Sequence, residues 1–190
     1  MTYISIDVET DGPIPGENSM LSLGAVAFGE TTLLPIGRLQ LNPKRLEGAK
    51  QHPETMQWWA HNQKAYNAAT KDPGDPSATM HYFYSWVKAF PNPIAVVYPA
   101  AFDFMFVYWY LMKFVGVNPF NEGAPSCIDL KTFAMALLGK SYKEASKRHW
   151  RKGWVQPKGS HTHLAVDDAE EQGLSFIAML RSRDDLHRSS

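Results

Sequence analysis

Residues Thr2–Thr10 read TYISIDVET. Tyr3, Ile4, Ile6 and Val8 are aromatic or β-branched, the composition of a strand. Side chains on a strand alternate between faces, so Asp7 and Glu9 point the same way, about 7 Å apart along the chain. Two carboxylates on one face, at the end of an apolar strand, repel each other unless a cation lies between them. Hard divalent ions such as Mg²⁺ take carboxylate oxygens. The stretch therefore nominates a metal site that later segments complete. The simpler reading is a strand that ends in a charged turn.

The flanking sequence builds a sheet around this strand. Asp11-Gly12-Pro13 and Pro15-Gly16 mark a loop. Met20–Phe28 (MLSLGAVAF) alternates as a second strand, with Gly24 open to close approach of another backbone. Gly29-Glu30 reads as a tight turn and Thr31–Leu41 as a third strand, so the first three strands form an antiparallel meander. His52–Asn62 (HPETMQWWAHN) predicts a short helix with Pro53 in its first turn and Glu54 at its positive end. Met56, Trp59 and Ala60 share one face of it. The helical spacing assigns one of Trp58 and Trp59 to the core and leaves base stacking open to the other. Asp75 caps a helix that starts at Pro76 and buries Met80, Phe83, Tyr84 and Val87.

From residue 94 the rhythm changes. Ile94–Tyr98 reads as a strand buried on both faces, and Phe102–Val115 as an apolar helix stopped by Gly116. Ser126–Asp129 predicts a fifth strand, Leu130–Leu138 a helix closed by Gly139, and His163–Ser182 a long final helix. Strand and helix in alternation imply parallel pairing with crossover helices. The expected class is α/β: a single domain over residues 1–182, then a flexible polar tail at 183–190.

Composition narrows the setting. One cysteine, Cys127, excludes an internal disulfide and points to a reducing cytoplasm. No charged-then-apolar leader opens the sequence, and the longest apolar run, Phe104–Met112, is too short to span a bilayer. No membrane partner is expected. A formal net charge of zero argues against a protein that coats duplex nucleic acid. The charge is uneven, however: Lys140–Lys158 holds seven basic residues against one acid, Glu144, with Tyr142, Trp150 and Trp154 interleaved. Lys147, Arg148, Trp150, Arg151, Lys152 and Trp154 are the candidate lip that tracks a nucleic-acid strand, cations on phosphates and rings on unpaired bases. The competing reading is a solvated loop with its aromatics on the core.

Three more acids complete the pattern. Asp103, in AAFDF, follows the buried strand at a helix start. Sites in open α/β sheets lie beyond the carboxyl ends of the strands, although Asp is also a common helix cap. His163, Asp167 and Asp168 open the last helix, and only one of the adjacent aspartates can face inward.

Taken together, SIDVETDG, AAFDF and HLAVDDA resemble the motifs of the DEDDh group of 3′→5′ exonucleases, which includes polymerase proofreading subunits, ribonuclease T and oligoribonuclease. SMLSLGAVAF follows the first motif at the distance this group shows. PETMQWW is similar to a segment of a subgroup of bacterial and phage exonucleases and exoribonucleases. The resemblance covers roughly residues 2–180. Where relatives often carry a His-Asn or Gly-Asn pair before the middle aspartate, this chain has Tyr98, Pro99 and Ala100.

The resemblance implies a ribonuclease-H-like fold, with a central mixed five-stranded sheet flanked by helices. It implies hydrolysis at the 3′ end of single-stranded RNA or DNA with two divalent cations, Mg²⁺ or Mn²⁺. On this reading Asp7 bridges both ions, Glu9 and Asp168 hold the water-activating ion, and Asp103 supports the second. His163 takes the proton of the attacking water. The resemblance is also compatible with a homodimer. Two alternatives stay open: an endonuclease of the same fold, and a non-catalytic nucleic-acid-binding module on a degenerate nuclease scaffold.

Overall fold

The computed structural model describes residues 1–120, 126–155 and 164–188. Five strands form one sheet: β1 (Thr2–Thr10), β2 (Met20–Gly29), β3 (Pro35–Leu41), β4 (Pro93–Val97) and β5 (Ile128–Asp129). Their order is β3-β2-β1-β4-β5. β1 is central, antiparallel to β2 and parallel to β4, and β4 is parallel to β5. This is the mixed sheet expected, an antiparallel meander extended by parallel strands.

Among the described residues six α-helices flank it: α1 (Pro53–His61), α2 (Gln63–Ala69), α3 (Pro76–Lys88), α4 (Asp103–Phe114), α5 (Leu130–Leu138) and α6 (Ala165–Arg188). Alternation on β1 splits the core. Ile4, Ile6 and Val8 pack with Met80, Phe83 and Val87 of α3 and Phe106 and Tyr110 of α4. On the opposite face, Val26, Phe28 and Val96 pack with Leu130 and Ala134 of α5 and Ala169, Phe176, Ile177 and Met179 of α6. Asp75 caps α3 by accepting from the Ala78 amide at 2.9 Å, and Gly139 ends α5 in the left-handed conformation (φ 60°) that favours glycine.

The structure departs from expectation chiefly in the following places. β3 starts at Pro35 rather than Thr31, because Leu33 turns with positive φ and its amide closes onto the Gly29 carbonyl. α2 was not expected: its sequence, QKAYNAA, buries only Ala65 and Ala69, too faint a periodicity to read. Lys140–Lys158 holds three short 3₁₀ turns, at Tyr142–Ala145, Lys147–His149 and Lys152–Trp154. α6 runs past Ser182, the expected end of the last helix, to Arg188. No described helix is long and apolar enough to cross a membrane.

Candidate active site

Asp7 and Glu9 share the α6 side of β1. The β1–β4 ladder ends at Ser5–Val96, so both acids lie beyond the paired length of β4, at the carboxyl edge of the sheet. Gly24 is the partner of Asp7 across the β1–β2 ladder. A Cβ there would run into the Ala165 carbonyl and the Val166 amide, so glycine lets the start of α6 lie directly against the sheet beside Asp7. Gln40 of β3 holds that helix end, its Oε1 accepting from the Val166 amide at 2.9 Å. The result brings Asp168 in: one carboxylate oxygen each from Asp7, Glu9 and Asp168 lies within 4.8 Å of the others. Its neighbour Asp167 instead pairs with Arg38 of β3. The ambiguity between the two aspartates is thus resolved by packing.

Asp103 comes from the other side of the edge. It is not a helix cap. The cap position is Phe102, and Asp103 is 3% exposed, with Oδ2 lacking a hydrogen-bond partner among the described residues. Asp129 caps the neighbouring α5 through Thr132 (2.7 Å), and its other oxygen accepts from the Ala100 amide at 2.9 Å. That contact ties down the turn leading into Asp103. Gln172, 2% exposed and one helical turn beyond Asp168, donates to Asp7 Oδ1 at 2.8 Å. Sequence reasoning did not single it out, although its i+4 spacing from Asp168 was the available signal.

Four acids in so small a volume disfavour one another's charge. Burial raises Asp7 well above the usual carboxylate range, and Asp103, Glu9 and Asp168 add to this, while Lys147 opposes it. Burial, with help from Asp168, pushes Glu9 up to about 8. Burial also raises Asp103, against the opposing pull of the Val8 amide; Glu9 reinforces the rise, and the Tyr98 amide and Lys147 resist it. A buried, partnerless carboxylate oxygen beside three converging ones is a donor set for a hard divalent cation, whose charge would stabilise all four acids ionised. The residues therefore fit the metal that the sequence nominates. His163 lies outside the described residues.

The basic stretch divides. Trp150 and Trp154 do not form a stacking lip. Both are buried, their indole N–H groups donating to the Ala145 carbonyl (2.9 Å) and to Ser182 Oγ (2.8 Å). They cover apolar surface on α6 that would otherwise face water, which outweighs any gain from leaving them open to bases. Arg148, Arg151 and Lys152 are exposed around them, and Arg151 lies over the Trp154 ring at 5.1 Å. Lys147 turns inward instead, its Nζ 3.5 Å from Glu171 and 5.3 Å from the Tyr98 ring centroid. The Trp58–Trp59 pair splits as expected. Trp59 is buried and donates to the Thr10 carbonyl at 2.9 Å, whereas Trp58 is 44% exposed.

Comparison with known proteins adds relatives in sequence and in fold. No family model matches the chain. An Escherichia coli protein described as the 3′-5′ DNA exonuclease Cap18 is 30% identical over 184 residues, spanning 92% of this chain and 89% of the relative. Among solved structures, the nuclease domain of 3′hExo, a DEDDh family member bound to rAMP, superposes with a TM-score of 0.64 at 10% identity over 96% of this chain and 92% of that one. Escherichia coli ExoI in a complex with ssDNA superposes with a TM-score of 0.69 at 16% identity, over 96% of this chain and 40% of that longer one. These two share the fold. With the relative's identity over nearly the whole length, and an acidic cluster that joins β1 to the start of α6, the chain belongs to the DEDDh family of metal-dependent 3′→5′ exonucleases.

Proposed function

We infer that this exonuclease removes nucleotides from the free 3′ end of single-stranded DNA. The observation that carries the reading is the convergence of Asp7, Glu9 and Asp168 within 4.8 Å beside the buried, partnerless Oδ2 of Asp103. DNA rather than RNA is favoured by the relative at 30% identity, which is described as a DNA exonuclease. The complete acid set argues against a binding module on a decayed scaffold. A narrow acidic site at the sheet edge suits a chain end better than a duplex groove.

Asp7, Glu9 and Asp168 would hold one Mg²⁺ or Mn²⁺, and Asp103 with Asp7 a second. Such ions, when bound, neutralise the phosphodiester and lower the pKa of the attacking water. The protein's own residues do the rest. Asp7, fixed by Gln172, would serve both ions. His163 accepts the proton of the water as oxygen bonds to phosphorus. The P–O3′ bond then breaks, a proton reaches the departing 3′-oxygen, and a nucleoside 5′-monophosphate leaves a strand one unit shorter. Arg148, Arg151 and Lys152 would meet upstream phosphates.

The test is degradation of 5′-labelled single-stranded DNA and RNA of the same sequence, with Mg²⁺, Mn²⁺ or chelator. Stepwise shortening of the DNA, absent with chelator, is the expected result, and a circular single strand should stay intact. Faster shortening of the RNA overturns the substrate assignment. Asp7→Asn should stay folded and lose turnover; retained turnover overturns the mechanism.

A further inference from the structure

Among the described cations of the basic stretch, Lys147 is the one that reaches α6, at Glu171. Its turn is seated firmly: Trp150 packs edge-on against Tyr98 at 5.5 Å and donates to the Ala145 carbonyl at 2.9 Å. The Lys147 amide points at the Tyr98 hydroxyl, 3.4 Å away. Tyr98 directly follows β4 and lies five residues before Asp103, so this seat belongs to the catalytic edge of the sheet. The ammonium extends over the Tyr98 ring to Glu171, a residue three positions after Asp168 on α6. It therefore bridges the two elements that deliver Asp103 and Asp168.

The direction of its charge is also informative. The Lys147 ammonium lies near enough to Asp7 and Asp103 to oppose the rise that burial imposes on both. Among the described residues its ionic partner is Glu171, 3.5 Å away in a pair that is partly exposed on both sides. Such a pair is weak and is readily exchanged for a stronger anion. A phosphate is that anion, carrying more charge and meeting the ammonium in a site from which water is partly excluded.

We propose that Lys147 is a catalytic residue, its ammonium leaving Glu171 to contact a non-bridging oxygen of the scissile phosphate and offset the charge that builds there during attack. This rests on the exonuclease reading above and gives Lys147 a different task from Arg148, Arg151 and Lys152, which lie outside the cluster. A strand-tracking lysine is needed only by a long substrate, whereas a lysine at the scissile phosphate is needed by the smallest one.

Thymidine 5′-(4-nitrophenyl phosphate) separates the two, because it is a phosphodiester with one nucleoside and a chromogenic leaving group. With Mn²⁺, Lys147→Met should lower kcat about 100-fold on this substrate and on a single-stranded oligonucleotide alike, with KM for the oligonucleotide little changed. Lys147→Arg should recover part of the loss. Wild-type turnover of the small substrate by Lys147→Met, with a loss confined to KM for the oligonucleotide, overturns the proposal. A titration of the variant with Mn²⁺ alone guards against a damaged pocket: retained binding with lost turnover supports the assignment, and lost binding means that Lys147 organises the acids, which also overturns it. Absence of turnover by the wild-type protein on both substrates would remove the exonuclease reading itself, a result distinct from either.

Discussion

At the scale of single residues, neighbours in sequence have opposite tasks. Asp167 and Asp168 are chemically identical, yet one pairs with Arg38 at the surface and the other faces Asp7 and Glu9. Asp168→Asn should reduce turnover about 1,000-fold, the scale of losing a metal-holding carboxylate. Asp167→Asn removes a partly exposed ion pair with Arg38 and should leave turnover within about threefold. Equal losses in the two variants, measured by nucleotide release, would contradict the site described. Gln172 supplies a second residue-scale prediction. It donates to Asp7 Oδ1 without contributing a charge, so Gln172→Leu frees that carboxylate to rotate while keeping the volume. Residues that orient a metal-holding group change affinity by about 10- to 100-fold when replaced. Calorimetric titration with Mn²⁺ should show a weakening of that size, with the melting temperature nearly unchanged.

At the scale of elements, the site depends on how closely α6 meets β2. Gly24 stands opposite Asp7 in the ladder and against the backbone of Ala165 and Val166. A methyl group there meets carbonyl and amide atoms that cannot move without displacing the helix. Gly24→Ala should therefore destabilise the fold by about 1–3 kcal/mol, the usual cost of overpacking, read as a lower midpoint in urea. Because the displaced end of the helix carries Asp168, turnover at low urea, where the protein remains folded, should fall as well. A stability loss with full activity would mean that the helix start is not what sets the distance from Asp168 to Asp7. Gly173, further along α6, meets Phe28 and Ser5 in the same way, so the helix is seated at two points by missing side chains.

At the scale of the whole molecule, the acidic cluster links folding to pH and to metal. Glu9 is raised from 4.5 to about 8, and Asp7 and Asp103 are raised too, chiefly by burial. A carboxyl raised by folding binds its proton more tightly in the folded state than in the unfolded chain. Its stabilising contribution is complete below the unfolded value and is lost as pH rises through the folded one. With chelator present, the melting temperature should therefore fall between about pH 5 and pH 8 on account of these groups. Divalent cations reverse the sign by favouring the ionised acids, so the gain from Mg²⁺ or Mn²⁺ should grow over the same window. Scanning fluorimetry at several pH values, with and without metal, checks both slopes; a chelated protein that gains stability from pH 5 to pH 8 would contradict the cluster's electrostatics.

Much of this was legible in the sequence because it is local or periodic. Alternation in TYISIDVET placed Asp7 and Glu9 on one face, turn residues bounded the strands, and the strand–helix rhythm after residue 94 predicted the parallel pairing. Two kinds of fact were not legible. Trp150 and Trp154 carry the composition of a nucleic-acid lip, but whether a ring meets a base or a core depends on the apolar surface that another element presents, here α6. The choice of Asp168 over Asp167, the Gln172 bond to Asp7 and the inward turn of Lys147 all follow from where that helix lands on the sheet. Sequence alone determined which residue types could gather and in what order. Tertiary structure decided which of them face one another, because a distance between elements is set by the packing of the side chains between them, and at Gly24 by the absence of one.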